Sequence, residues 1–424
     1  ALDCGTITLT QGVIDVSVLG PHHVNDLSIV GPGADALTID GNGDRVFAHG
    51  DFQIGLGTLA IRDLAIANGN YTHGLASCID SSGNVELTRA VVTGCHASGG
   101  APLTFGGAVS AAYLTMTSSR IADSLSAAAG DNVAIGGGAY VSGDATLVDS
   151  TISGNIAISP TGGDGTYYIR AGGGLYVRGA LAMTTSTITH NTLVSYFDPL
   201  GPGGGVFVRA DADISYSTFD ANLAGTGGAL EKAVFSPFGD PGTTLSIANS
   251  TFSGNGAYFD GGAIRTVRPT SITSSTIARN NSGFTIGGIA CSGSDVTIDL
   301  QSTILAWNHV GDTDGVYLDL FCYDPVTITG SRNLVLVSGG VTLPDDTLDV
   351  DPLLGALADN GGPTETMALD PSSPAIDAGS NDGGFDFDQR GAGFPRVLGS
   401  RADIGAFEAQ SGSPDDTIFA NGFD

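Results

Sequence analysis

Ser150-Thr151-Ile152-Ser153-Gly154-Asn155 returns as Ser186-Thr187-Ile188-Thr189-His190-Asn191 and again as Ser217-Thr218-Phe219-Asp220-Ala221-Asn222. Ser250-Thr251-Phe252-Ser253-Gly254-Asn255 and Ser275-Thr276-Ile277-Ala278-Arg279-Asn280 follow, then a form one residue longer, Ser302-Thr303-Ile304-Leu305-Ala306-Trp307-Asn308. Degenerate copies precede them with Asn68, Cys95 and Ser124 in the Asn position, and successive Asn positions stand 27, 29, 31, 36, 31, 33, 25 and 28 residues apart. A constant motif on a variable period describes a solenoid whose coils share one strand and differ in their loops.

A second marker, Gly-Gly before a small or apolar residue, recurs from Gly106-Gly107-Ala108 to Gly287-Gly288-Ile289. Gly accepts a positive φ without steric cost and Asn is the next best residue there, so both markers read as corners. Between them run alternating segments such as Ala145-Thr146-Leu147-Val148-Asp149, whose period of two is that of a strand with one buried face. The Ile/Phe column, Ile152, Ile188, Phe219, Phe252, Ile277 and Ile304, reads as core. These features predict an all-β, right-handed parallel β-helix of about ten coils, with an N-terminal cap over 1–58, repeats over 59–340, a capping region over 341–410 and an acidic linker with an aromatic tail over 411–424.

Composition narrows the function. The 424 residues include 65 Gly against 17 Pro and are 41% apolar, too apolar for a disordered Gly-rich chain. A formal charge of −29 would repel nucleic acid and anionic lipid, so no nucleic-acid partner is expected. No apolar run reaches the 18 residues of a membrane span, so no transmembrane segment is expected. A start at Ala1-Leu2-Asp3-Cys4, without Met, reads as a mature product whose signal peptide has been removed.

Five cysteines in an exported chain suggest two disulfides. Cys291 and Cys322 lie one repeat apart, which stacks them on adjacent coils at a spacing a disulfide accepts. Cys78 with Cys95 would close a short loop and leave Cys4 unpaired, other pairings staying open.

The repeats resemble those of polymorphic outer-membrane proteins and other pectate-lyase-like β-helices, over about residues 60–310. Downstream come Asp351-Pro352-Leu353-Leu354-Gly355, Asp359-Asn360-Gly361-Gly362-Pro363-Thr364, Ser373-Pro374-Ala375-Ile376-Asp377-Ala378-Gly379, Asp388-Gln389-Arg390-Gly391 and Asp403-Ile404-Gly405-Ala406-Phe407-Glu408. This series resembles the choice-of-anchor Q domain of secreted bacterial β-helix proteins. The resemblance implies export to the extracellular space or the outer surface of a Gram-negative bacterium, and it implies no reaction. Asp377, Asp388, Arg390, Arg396, Arg401, Asp403 and Glu408 read as a salt-bridged cluster closing the helix end.

Sites are sparse. Arg178, Arg209, Lys232 and Arg265 follow Gly-Gly corners and form a candidate strip for an acidic polysaccharide or a cell-surface ligand, although solvent-facing strand positions need polar residues anyway. Asp40, Asn42 and Asp44 carry the spacing of a Ca²⁺ loop without its remaining ligands, so Ca²⁺ is a candidate and no cofactor is required. No cluster matches a lyase or hydrolase, and no catalytic residue is assigned. Ile418, Phe419 and Phe423 are candidate anchors for self-association into filaments. The expected function is a non-catalytic structural or adhesive surface protein, with a polysaccharide lyase or hydrolase, or a carbohydrate-binding module, as alternatives.

Overall fold

The computed structural model describes residues 14–15, 26–49, 57–99, 103–130, 132–159, 170–195, 201–233, 243–293, 296–311 and 315–410. Cys4, Ile418, Phe419 and Phe423 lie outside them. Among the described residues there is no helix, and hence none long and apolar enough to cross a membrane.

The chain winds as a right-handed parallel β-helix whose coils each contribute strands to four faces. In one coil these are Val109–Ala111, Tyr113–Thr117, Arg120–Ala122 and Leu125–Ala128, on the first to fourth faces respectively. Among the described residues the third face stacks 11 strands and the fourth 9, while the first and second merge in the long strand Leu320–Ser331. Among the described residues the strands of successive coils pair in parallel, and an inner strand such as Thr187–Thr189 is hydrogen-bonded on both edges, to Thr151–Ser153 and to Thr218–Asp220.

The repeated motif is the third-face strand with its two corners. Its middle residue points inward, and Ile152, Ile188, Phe219, Phe252 and Ile277 form a buried column in which Phe219 and Phe252 stack with centroids 4.5 Å apart. A positive φ precedes the motif Ser, as at Asp149 and Thr185, and another precedes the Asn, as at Gly154, His190 and Ala221. The left-handed residue is therefore the one before the Asn. The Asn itself turns into the interior, because the kink aims its side chain along the stack.

There it builds a ladder. Asn155 Nδ2 donates to Asn191 Oδ1 at 2.9 Å, Asn191 to Asn222 at 3.0 Å, Asn222 to Asn255 at 2.9 Å, Asn255 to Asn280 at 2.9 Å and Asn280 to Asn308 at 2.8 Å. Each Asn backbone N–H from Asn155 to Asn280 donates to the same oxygen of the next coil. The series ends on the buried carboxylate of Asp319, which accepts from Asn308 Nδ2 at 2.7 Å and from the N–H of Val337 at 2.9 Å. A serine ladder runs along the other corner, where Ser150 Oγ donates to the Val148 carbonyl and accepts from the Ser119 N–H. Gly174 is required beside the amide ladder, since a Cβ there would lie 2.7 Å from Asn191 Cγ.

Register corrects three readings. Ile66 pairs with Val92, so the Asn column begins at Gly69, while Asn68 holds the left-handed position with φ 56°. Ile304 pairs with Thr276 and Leu305 with Ile277, so the last motif is no longer than the others. Thr303 takes the Ser position, Leu305 joins the interior column, and Ile304 faces outward, buried in a separate cluster with Leu354, Met367 and Ile404.

That second core is where the C-terminal region docks. Residues 351–408 lie along the outside of the third face across several coils, beyond the end position expected of a cap. Gln389 Oε1 accepts from Thr251 Oγ1 at 2.6 Å and its Nε2 donates to Thr218 Oγ1 at 2.9 Å. The Ala406 N–H donates to Thr276 Oγ1 at 3.0 Å, and the Gly405 N–H to the Ser302 carbonyl at 2.8 Å. The outward Thr column, a by-product of strand alternation, thus supplies the docking groups.

Candidate functional site

Strand register places Asp80, Ser110, Tyr140, Tyr176, Phe207, Glu231 and Arg265 in one outward column of the first face. Its middle is aromatic: Tyr140 stacks on Tyr176 with centroids 5.4 Å apart, and Tyr176 on Phe207 at 5.2 Å. Phe105, Val133, Ile135 and Val267 pack around these rings. Burial pushes both tyrosine hydroxyls above their usual range.

The column then becomes charged. Arg265 Nη1 donates to Glu231 Oε1 at 2.7 Å, and its Nε lies 3.4 Å from Asp260 Oδ1. Glu231 Oε2 accepts from Thr226 Oγ1 at 2.7 Å, and Asp260 Oδ2 from the Tyr323 hydroxyl at 3.0 Å. Burial raises the Glu231 carboxyl above its ordinary value. It also works against the Arg265 charge, an effect that Glu231 and Asp260 more than offset. One guanidinium is thus clamped between two carboxylates.

The four expected strip residues do not form a strip. Arg178 and Arg209 share the column after Val177 and Val208, Arg178 exposed and Arg209 half-buried beside Tyr176. Lys232 pairs with Val208 and points inward, fully buried. Its ammonium donates to the Arg209 carbonyl at 2.8 Å, to the Ala210 carbonyl and to Thr243 Oγ1. Alternation along Leu230–Lys232 sends neighbours to opposite sides, so Glu231 rather than Lys232 is in register with Arg265.

Asp40, Asn42 and Asp44 do share one turn. Asp40 Oδ1 accepts from the Asn42 N–H at 2.7 Å and its Oδ2 from Asn68 Nδ2 at 2.9 Å, while Asp44 Oδ1 accepts from the Arg45 N–H at 2.8 Å. A Ca²⁺ ion takes six to eight oxygens, and these carboxylates are already engaged as acceptors. Among the described residues, no three His, Cys, Asp or Glu side chains converge as a metal set. Both expected disulfides are present, Cys78 with Cys95 and Cys291 with Cys322, with Cα–Cα separations of 5.8 and 4.5 Å. The second joins directly paired residues of adjacent coils.

The C-terminal carboxylates and arginines gather, with Arg401 left exposed. Arg390 Nη2 pairs with Asp388 Oδ2 at 2.6 Å, and its guanidinium sits 4.0 Å from the ring centroid of Phe394 and 3.8 Å from that of Phe407. Arg396 is fully buried, donates to the Asp403 carbonyl and lies 3.9 Å from Glu408. Glu408 accepts from the N–H groups of Leu398 and Asp403, at 2.9 and 2.8 Å. Asp403 in turn accepts from the N–H groups of Asp377 and Ala409. Burial pushes the Glu408 carboxyl up to about 7. Glu408, Asp403 and Asp377 border a cavity of about 410 Å³ walled by Leu369, Ile376, Leu398 and Phe407.

Sequence reading missed Asp260, Tyr258, Phe284 and Tyr323, which meet at the corner between the fourth and first faces. Tyr258 and Phe284 are 5.0 Å apart by ring centroid, and Thr285 Oγ1 donates to the Phe259 carbonyl at 2.8 Å. The available signal was aromatic residues just before two consecutive corners, Tyr258-Phe259-Asp260 before Gly261 and Phe284 before Ile286. No family model matches the chain, nor does any curated protein or solved structure.

Proposed function

We propose that the protein is a non-catalytic structural or adhesive β-helix, exported to the extracellular space or the cell surface. The observation that carries this reading is how the buried carboxylates are used. Glu231, Asp319, Asp388, Asp403 and Glu408 all hold backbone amides, side-chain donors or guanidinium groups of the protein itself. A lyase or hydrolase needs a carboxylate or cation poised toward substrate; these are committed to holding the fold. The two disulfides suit an oxidising compartment, and the inter-coil ladders suit a rod that keeps its shape without a partner.

Incubating the full chain with neutral and acidic polysaccharides, with and without Ca²⁺, is expected to release no new reducing ends or unsaturated products. Turnover of any of them overturns the reading. Self-association through 411–424 belongs to the same proposal, with filaments in negative-stain micrographs that disappear when 414–424 is deleted. EDTA is expected to leave Tm unchanged, whereas a fall would point to an ion at the Asp40 turn.

A further inference from the structure

We infer that the corner formed by Tyr258, Phe284, Tyr323 and Asp260 is a binding subsite for an uncharged saccharide chain. This rests on the adhesive reading and supplies the class of its ligand. The three rings are 48%, 58% and 52% exposed, so large aromatic surfaces face water on neighbouring coils. Phe259 braces two of them, edge-on to Tyr258 with centroids 4.8 Å apart and stacked on Phe284 at 5.7 Å, which fixes Tyr258 and Phe284 at 65° to each other as an angled platform. Coils advance about 4.8 Å per turn, roughly the length of one hexose, so rings on successive coils match successive sugars.

Hydrogen-bonding groups are set into the same platform. Asp260 is 7% exposed, and while its Oδ2 takes the Tyr323 hydroxyl, its Oδ1 has no hydrogen-bond partner. Arg265 Nε stands 3.4 Å from that oxygen. A buried carboxylate oxygen with only this long ion-pair contact, beside exposed rings, suits a sugar that stacks its C–H face on the aromatics and donates a hydroxyl to Asp260.

Charge selects the class. The chain carries −29, and the nearest cation, Arg265, is held by Glu231 and Asp260. An acidic sugar would meet repulsion while the guanidinium beside Asp260 is already engaged, whereas a neutral one brings hydroxyls and apolar faces.

The test is binding of the full chain to a printed array of neutral and acidic oligosaccharides, followed by titration of the strongest binders. Neutral oligosaccharides are expected to bind; Phe284→Ala and Tyr258→Ala should each weaken them at least tenfold, Tyr323→Phe several-fold, and Tyr113→Ala, an exposed ring on another face, not at all. Circular dichroism confirms that each variant is folded. Equal binding by Phe284→Ala and Tyr258→Ala, capture of acidic sugars alone, or no saccharide bound overturns the subsite and leaves the structural reading standing. Cleavage of a bound neutral sugar does the reverse, retaining the subsite and removing the non-catalytic reading.

Discussion

The amide ladder inside the solenoid and the ion-pair knot of the C-terminal region solve one problem in two ways. Both bury polar side chains, and a buried polar group without a partner costs about 1–3 kcal/mol. In the solenoid, translation by one coil brings an identical side chain into hydrogen-bonding distance. A single neutral residue type therefore satisfies itself from Asn155 to Asn308. The C-terminal region has no repeat to copy, so it recruits groups of opposite charge from scattered positions: Asp388, Arg390, Arg396, Asp403 and Glu408. Periodicity makes charge unnecessary. A fold without it must assemble each pair individually, and pays for desolvating ions.

This contrast predicts where the molecule is fragile. Arg390→Ala strands the buried Asp388 carboxylate and removes the guanidinium between Phe394 and Phe407. A cost of about 3–5 kcal/mol is expected, confined to 351–408 and seen as loss of hydrogen-exchange protection there while the solenoid stays protected. Loss of protection throughout would mean that the two regions fold as one unit.

Asn222→Leu interrupts the ladder at its middle. The N–H of Asn191 loses its acceptor and its Nδ2 loses one of three, while the Ile188 carbonyl and Asn255 Oδ1 each lose a donor, so about 2–4 kcal/mol is expected from urea unfolding. Asn68→Gly, outside the column and at a positive φ that Gly tolerates, should cost under about 1 kcal/mol. Equal effects at the two positions would show that the ladder is not what stabilises this corner.

Gln389→Ala removes the bridge from the C-terminal region to Thr218 and Thr251. About 1–2 kcal/mol of docking stability should be lost, measured as earlier proteolysis within 351–408. Unchanged proteolysis would assign docking to the apolar contacts of Ile304 with Leu354 and Ile404.

A fourth effect is on pH. Folding raises the Glu408 carboxyl from an ordinary 4.5 to about 7, so the folded state holds this proton more tightly than the unfolded one. Its contribution is therefore greatest below pH 4.5 and is lost as pH rises through about 7. Melting of the C-terminal region should move to lower temperature between pH 5 and 8, and Glu408→Gln should flatten that slope. A slope of opposite sign would mean that Arg396 keeps Glu408 ionised.

The two regions also differed in how much of them the sequence displayed. A motif repeated from Ser150 to Asn280 announces its own contacts, since each copy touches the next. The coil architecture, the interior column and the stacking of Cys291 on Cys322 follow from spacing alone. The charged residues of the C-terminal region were visible as a set but their partners were not. The aromatic corner was not legible at all, because Tyr258, Phe284 and Tyr323 come from different coils and only the winding brings them together.

The order of residues by itself determined a parallel β-helix, because side chains that recur once per turn can only be satisfied by stacking. The tertiary structure decided the rest. It set the register that put Gly69 and Leu305 in the columns expected of Asn68 and Ile304, through backbone dihedrals that composition does not reveal. It turned Lys232 inward and gave Glu231 to Arg265, because alternation within a strand is read only once its pairing is known. It also laid 351–408 along the Thr column, through hydrogen bonds between residues as much as 172 apart in the chain, a distance over which no local pattern carries information.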